Sequence, residues 1–282
     1  MINKENWTKV IEPGSSCFDL KLKQTWDYRD LIYMFVRKDL VVQYKQTILG
    51  PCWYIIQPLI SSLMFTLIFG GIAKIPSDGV PHYLFYLAGI TCWGYFSTCL
   101  TTTSDIFTTN QGIFGKVYFP RIAVPISVVI SNFLKFLIQL CVFLFFFFLY
   151  MYKGALLEPN YYLFLLPVLI ILMGGLSLGL GMVFSAMTTK YRDMKFLLSF
   201  LVQIWMYATP IIYPLTEAPE KYRWIIALNP MTGIVLTFKY AFLGRGEFVW
   251  DYLIYSAVFM VVLLFFAVIV FNKVEKNFMD TV

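Results

Sequence analysis

Six stretches of the chain hold apolar residues for long enough to cross a bilayer as helices, which takes about 20 residues each. They are 51–73, 83–107, 122–150, 161–187, 196–214 and 249–271, and within them only Asp105, Lys135 and Asp251 are charged. The pattern predicts an all-α integral membrane protein with six transmembrane helices. Two segments depart from it. Over 27–49, Leu31, Phe35, Val42 and Leu49 interleave at helical spacing with Arg37, Lys38 and Lys45, which predicts an amphipathic helix lying along the membrane interface. Over 215–248, Pro219 and Pro230 separate apolar pieces too short to span, 224–228 and 232–243. Broken helices at membrane depth need protein or a water-filled cavity to satisfy the freed backbone groups. The segment is therefore expected to form a re-entrant helical hairpin on the outer side, turning at Asn229 and Pro230.

Composition closes off a soluble reading. Apolar residues are 59% of the 282 and charged residues 13%, about half of the roughly 25% usual in soluble domains. The charges also orient the chain. Placing 1–50, 108–121, 188–195 and 272–282 in the cytoplasm gives that side fifteen lysines and arginines, against six outside, Lys74, Lys153, Lys221, Arg223, Lys239 and Arg245. That bias predicts two cytoplasmic termini in a multi-pass membrane protein. The expected organisation is a cytoplasmic segment with the interfacial helix at 1–50, a six-span domain at 51–271, and a cytoplasmic tail at 272–282. The six-span domain includes a cytoplasmic segment at 105–121 and the outer hairpin at 215–248. The first apolar run starts only near residue 51, so no cleaved signal peptide is expected and the first span directs insertion. The net charge of +6 is dispersed between the spans, which argues against nucleic acid as a partner.

Enzyme chemistry finds little support. Gly112 to Lys116 is too short for a phosphate-binding loop and is followed by Val117, so the chain is not expected to hydrolyse ATP or bind a cofactor itself. Gly174, Gly175, Ser177 and Gly179 lack the spacing of a serine nucleophile elbow. Cys17, Cys52, Cys92, Cys99 and Cys141 are scattered beside the single histidine, His82, and indicate neither a zinc site nor a disulfide framework. His82 is expected in an exposed loop. Gly175 with Gly179, and Ser177 with Gly181 and Ser185, set small residues four apart, as close helix packing in a membrane requires.

Two features remain. In the third span Ser127, Ser131, Lys135 and Gln139 recur every four residues with Asn132 beside them, forming one polar stripe. It is either a wall of a translocation pathway or a set of inter-helix hydrogen bonds with Lys135 reaching toward the head groups. Aromatics are also in excess, with 28 Phe, 19 Tyr and 7 Trp. Trp53, Tyr54, Tyr86, Trp93, Phe96, Trp205 and Tyr207, together with Lys135, are candidates for lining a channel, because flat apolar rings with polar edges suit sugar faces. Packing is the competing role for each.

The chain resembles the permease subunits of type 2 ABC exporters for polysaccharides, which serve O-antigen, capsule and teichoic-acid export. The resemblance rests on Arg37-Lys38-Asp39-Leu40, Gln43-Tyr44-Lys45, Leu49-Gly50-Pro51, Trp53-Tyr54 and Gln57-Pro58. It continues through 81–93, through 110–121 with Asn110, Phe114-Gly115-Lys116 and Tyr118-Phe119-Pro120-Arg121, through Tyr191-Arg192-Asp193, and through 207–214. It departs at Gln43, where many relatives carry a basic residue, and at Gly112, where many carry a second asparagine. The resemblance implies a homodimer joined to two copies of a separate ATP-binding cassette subunit that holds ATP and Mg. The exported substrate would be a glycan on a polyprenyl diphosphate, and membrane lipid would be a further partner. Asn110, Phe114, Lys116, Tyr118, Phe119, Arg121 and Arg192 would then couple to the ATPase, the aromatics forming an exposed cluster with the basic residues. Arg37, Lys38 and Lys45 become candidates for the lipid diphosphate, and Asn229 and Pro230 for an outer gate. Two rivals stay open at this stage, a type 2 exporter of a small molecule or drug and a membrane-embedded lipid-linked glycosyltransferase.

Overall fold

The structure is a computed structural model that describes residues 22–45, 48–114 and 119–281. Among the described residues all regular structure is helical. A short helix α1 (Leu22–Asp27) leads into α2 (Arg29–Lys45). A 3-10 turn at Gly50–Cys52 opens α3 (Trp53–Phe65), which continues without a break as a π-helix over Thr66–Ile72. Then come α4 (His82–Ser104), two single-turn helices α5 (Ile106–Thr109) and α6 (Gln111–Phe114), and α7 (Ala123–Tyr152). A 3-10 turn at Tyr161–Leu165 precedes α8 (Leu166–Lys190), followed by α9 (Met194–Ala208), α10 (Glu220–Ala227), α11 (Pro230–Leu243) and α12 (Trp250–Thr281).

Four helical stretches are long and apolar enough to cross a membrane: Gly50–Ile72, Ala123–Tyr152, Tyr161–Lys190 and Trp250–Val274. A fifth crossing is added only if the bent pair α10–α11 is counted as one. The other two expected spans differ from the pattern for distinct reasons. Helix α4 is long enough, but 15 of its 23 residues are buried, so it needs apolar side chains suited to neighbours rather than to lipid. Helix α9 has only 15 residues and stops at Ala208 instead of reaching Pro214. Pro210 disfavours helix at the preceding residue, and Thr209 is extended (φ −98°, ψ 142°). The expected tail at 272–282 is not a separate segment through Thr281, because α12 runs on to that residue.

The chain bends by 100° between α10 and α11, at the expected Asn229 and Pro230. Asn229 is extended and its side chain accepts the Met231 N–H, while Pro230 occupies the first helical turn, where its missing N–H costs nothing. At the far end of α11, Gly244 adopts the left-handed conformation (φ 68°) that closes the helix.

Helix α4 runs through the middle of the bundle, packed by α3, α7, α8 and α11. Its Leu84, Tyr86, Phe96 and Leu100 are fully buried with Phe143 of α7, Met173 of α8 and Phe238 of α11. The expected small-residue packing is present. Gly175 and Gly179 seat Met260, Leu263 and Leu264 of α12, and Gly181 seats Thr103 of α4. A second apolar cluster gathers Phe35 of α2, Phe107 and Phe114 of α5–α6, Phe119, and Phe271 of α12. Where α4 ends, the Thr188 hydroxyl of α8 donates to the Ser104 carbonyl at 2.7 Å, both groups being buried. Replacing Thr188 by isosteric valine is expected to cost about 1 kcal/mol. Thermal unfolding in detergent checks this, and an unchanged midpoint would assign the contact no weight.

Candidate functional site

Polar groups collect at the two opposite ends of the bundle. At the end bearing α2, a cavity of about 390 Å³ opens between α2, the α4–α5 junction and the first half of α7. Its wall on α7 is the polar stripe. Ser127 and Ser131 are buried and donate to the carbonyls of Val124 and Ser127, bonds made within α7 and not between helices. Lys135 is only 7% exposed. Its ammonium donates to Asn132 Oδ1 at 2.8 Å and stands 5.6 Å above the Tyr54 ring. It faces the cavity.

Opposite it on α2 stands Asp39, whose Oδ2 accepts a long 3.5 Å hydrogen bond from the Ser131 hydroxyl. Burial pushes the Asp39 carboxyl above its usual range, while Lys38, Lys135 and the Ser131 bond pull the other way. The three cations proposed for the diphosphate do not act as one set. All three are exposed; Lys38 lines the cavity with its ammonium 5.7 Å above the Phe35 ring, whereas Arg37 and Lys45 line none of it.

The residues expected to couple to an ATPase divide as well. Lys116 and Tyr118 lie outside the described residues. Arg192 is exposed in the turn between α8 and α9. Asn110 is buried, lines the cavity and donates to the Ile106 carbonyl of the preceding turn. The expectation of an exposed aromatic cluster is corrected. Phe114 and Phe119 are each 4% exposed and pack on each other at 5.8 Å, with Phe119 equally near Phe35 and the Arg121 guanidinium 5.4 Å above Phe114. Their rings help seat α2 on the bundle through Phe35, which removes their apolar area from water. One contact gave no sequence signal: the Lys195 ammonium meets Asp105 at 2.6 Å, tying the start of α9 to the end of α4.

At the other end the bend between α10 and α11 is clasped to the end of α9. Asn229 Oδ1 accepts from the Trp205 indole at 2.9 Å as well as from Met231, and its Nδ2 donates to the Thr209 hydroxyl at 2.8 Å. Ser256 and Tyr255 of α12 donate to the carbonyls of Pro230 and Leu228 on either side of the bend. One turn before α11 ends, Lys239 is 4% exposed. Its ammonium donates to the carbonyls of Pro210 at 2.8 Å and Ile211 at 3.0 Å, in the unwound stretch after α9. It also lies 3.4 Å above the Phe85 ring of α4. Beside it a space of about 10 Å³ opens toward Asp78 and Arg245, room for about one water. Sequence reasoning took Lys239 as an orienting outer charge. Its signal was present, as a lysine within an otherwise apolar helical piece.

The proposed channel aromatics also separate. Trp93, Phe96 and Trp205 do meet, with centroids 5.2 to 6.2 Å apart, and join α4 to α9. Tyr86 and Phe96 are fully buried and Trp93 is nearly so, so within one chain these three pack the core. Trp53 and Tyr207 are about half exposed, and Tyr54 and Trp205 partly so. His82, expected in an exposed loop, is the partly buried first residue of α4. It lies within hydrogen-bonding distance, 3.0 Å, of the Ile75 carbonyl, and its ring leaves no room for a side chain at Gly70.

Comparison with known proteins places this architecture. Residues 30–243 match the family described as ABC-2 type transporter. The chain is 29% identical over 263 residues to the O-antigen export system permease protein RfbA of Klebsiella pneumoniae, covering 93% of this chain and 98% of that protein. It is 26% identical over 264 residues to the protein of the same name from Myxococcus xanthus, with the same coverage. With the polysialic acid transport protein KpsM of Escherichia coli it shares 25% over 232 residues, 81% of this chain and 87% of that one. The family match runs from the second residue of α2 to the last of α11 and so takes in both polar ends of the bundle, and the chain belongs to the ABC-2 type transporter family.

Proposed function

We propose that this chain is the membrane-spanning subunit of an ATP-driven exporter of a polyprenyl-diphosphate-linked polysaccharide, most closely of the O-antigen kind, working as a homodimer with two separate ATP-binding cassette subunits. The observation that carries the reading is the alignment with O-antigen export permeases along 98% of their length. In this reading α2, α5 and α6 face the cytoplasm of a bacterial inner membrane, both termini lie there, and α4 and α9 complete six crossings. The bent pair α10–α11 re-enters the membrane from the outer side. The exposed cations Arg37 and Lys45 on α2 meet the lipid diphosphate, for which charge-assisted contacts at head-group depth are suited. Trp53, Tyr54, Trp205 and Tyr207, which keep exposed ring surface on α3 and α9, offer sugar-facing walls where two copies meet.

Coexpression with the cognate cassette subunit and transport into inverted membrane vesicles test the reading. ATP is expected to drive uptake of lipid-linked glycan, the chain alone to hydrolyse no ATP, and the double variant Arg37→Gln, Lys45→Gln to lower uptake by roughly tenfold with the complex still assembled. Glycan elongation by the chain without any ATPase would overturn it.

A further inference from the structure

Four charged side chains line the cavity at the α2 end; Asp105 is paired with Lys195, while Asp39 and Lys135 are opposite charges that do not meet. Asp39 and Lys135 act on each other electrostatically across it, but ion pairs among the described residues do not include them. Each charge is partly desolvated and holds little: Asp39 accepts one long hydrogen bond from Ser131, and Lys135 donates one to Asn132 and stands over the Tyr54 ring. Opposite charges held apart in a partly buried space have lost water without gaining each other. About 390 Å³ lies there, ample for a small polar group.

The charges fix which group fits. A diphosphate would bring several negative charges beside the Asp39 carboxylate, which is repulsive in a desolvated site. A simple cation would leave Lys135 unanswered, and a simple anion Asp39. A ligand with an ammonium at one end and a phosphate at the other answers both, and Lys38, next to Asp39 on α2, adds a second contact to the phosphate from the opposite wall. An ammonium with N–H donors is needed for a charge-assisted bond to Asp39, which a quaternary amine cannot make. Phe35, Val42 and Val128 give the cavity an apolar lining, and α2 turns Tyr33, Met34 and Val41 outward, as an interfacial helix presented to lipid does.

We propose that this cavity binds the phosphoethanolamine head group of a membrane lipid, with the ammonium on Asp39 and the phosphate between Lys38 and Lys135. The site is independent of what the protein exports. Because Asp105 and Asn110 share its wall with α2, an occupied cavity braces the interfacial helix against α5.

The full-length chain in nanodiscs of equal phosphatidylethanolamine, phosphatidylcholine and phosphatidylglycerol, with retained lipids counted by native mass spectrometry, tests this. Phosphatidylethanolamine is expected to be enriched roughly tenfold, and Asp39→Asn and Lys135→Met each to bring it to about parity. Equal retention of phosphatidylcholine, preference for phosphatidylglycerol, or no enrichment overturns the proposal. Should the variants fail to fold, a photoreactive phosphatidylethanolamine on the unaltered chain decides: crosslinks on α2 and the first half of α7 support the site, and crosslinks confined to α3 and α12 overturn it. Soluble phosphoethanolamine that blocks the crosslink would support the same chemistry with a soluble source, and its failure to compete assigns the ligand to the membrane.

Discussion

Replacing Lys239 by methionine is expected to lower the stability of the chain by about 2–5 kcal/mol, since each buried carbonyl left without a donor costs about 1–3 kcal/mol. The carbonyls are those of Pro210 and Ile211. They lie just past the end of α9, where the extended Thr209 has already broken the helical ladder. Methionine keeps the length and much of the volume of lysine, so the loss is polar and not a cavity. Removing the ammonium also forfeits its contact with the Phe85 face, worth about 2 kcal/mol when desolvated. Relief from the cost of burying a charge offsets part of this. Lys239→Gln keeps one donor group and is expected to fall between the two. Unfolding of the detergent-solubilised chain gives the comparison, and a methionine variant within about 0.5 kcal/mol of the parent, the range of ordinary surface changes, would show that the carbonyls find other donors.

Asn229→Ala is expected to cost about 2–4 kcal/mol, combining a lost helix cap with an indole N–H left unpaired. The side chain serves three partners at once: Met231, Trp205 and Thr209. Asn229→Asp keeps the acceptor for the first two, but it loses the donor to Thr209 and adds a partly buried charge, so it is not expected to restore the parent stability. Because Trp205 packs edge-on against Trp93 and Phe96, its release should also shift tryptophan emission to longer wavelength. An alanine variant with unchanged emission and unchanged unfolding would mean that the clasp holds nothing.

How far the sequence shows these sites depends on the distance over which the determining contacts act. The bend was legible because Asn229 and Pro230 carry a local cap and a local break. The long apolar helices were legible because their period and length are local as well. The end of the fifth span was overestimated: its apolar residues continue to Pro214, but the backbone obeys Pro210. Long-range partners were not legible. Nothing around Lys239 in the sequence points to carbonyls at 210 and 211, and nothing around Asp39 points to Ser131, 92 residues away. Phe114 and Phe119 were misjudged for the same reason, since their cover comes from α2 and α12.

The interior position of α4 has a consequence for how the protein is made. A helix carrying Thr91, Thr98, Thr101, Thr102, Thr103 and Ser104 gains less from lipid than its neighbours do, because hydroxyls gain most where another helix or their own carbonyls answer them. Its favourable surroundings are α3 on one side and α7 and α8 on the other, and two of those three emerge from the ribosome after it. Helix α4 must therefore be held beside α3 until α7 and α8 arrive, so that the order of synthesis, and not the hydrophobicity of each segment in turn, sets when the bundle becomes stable.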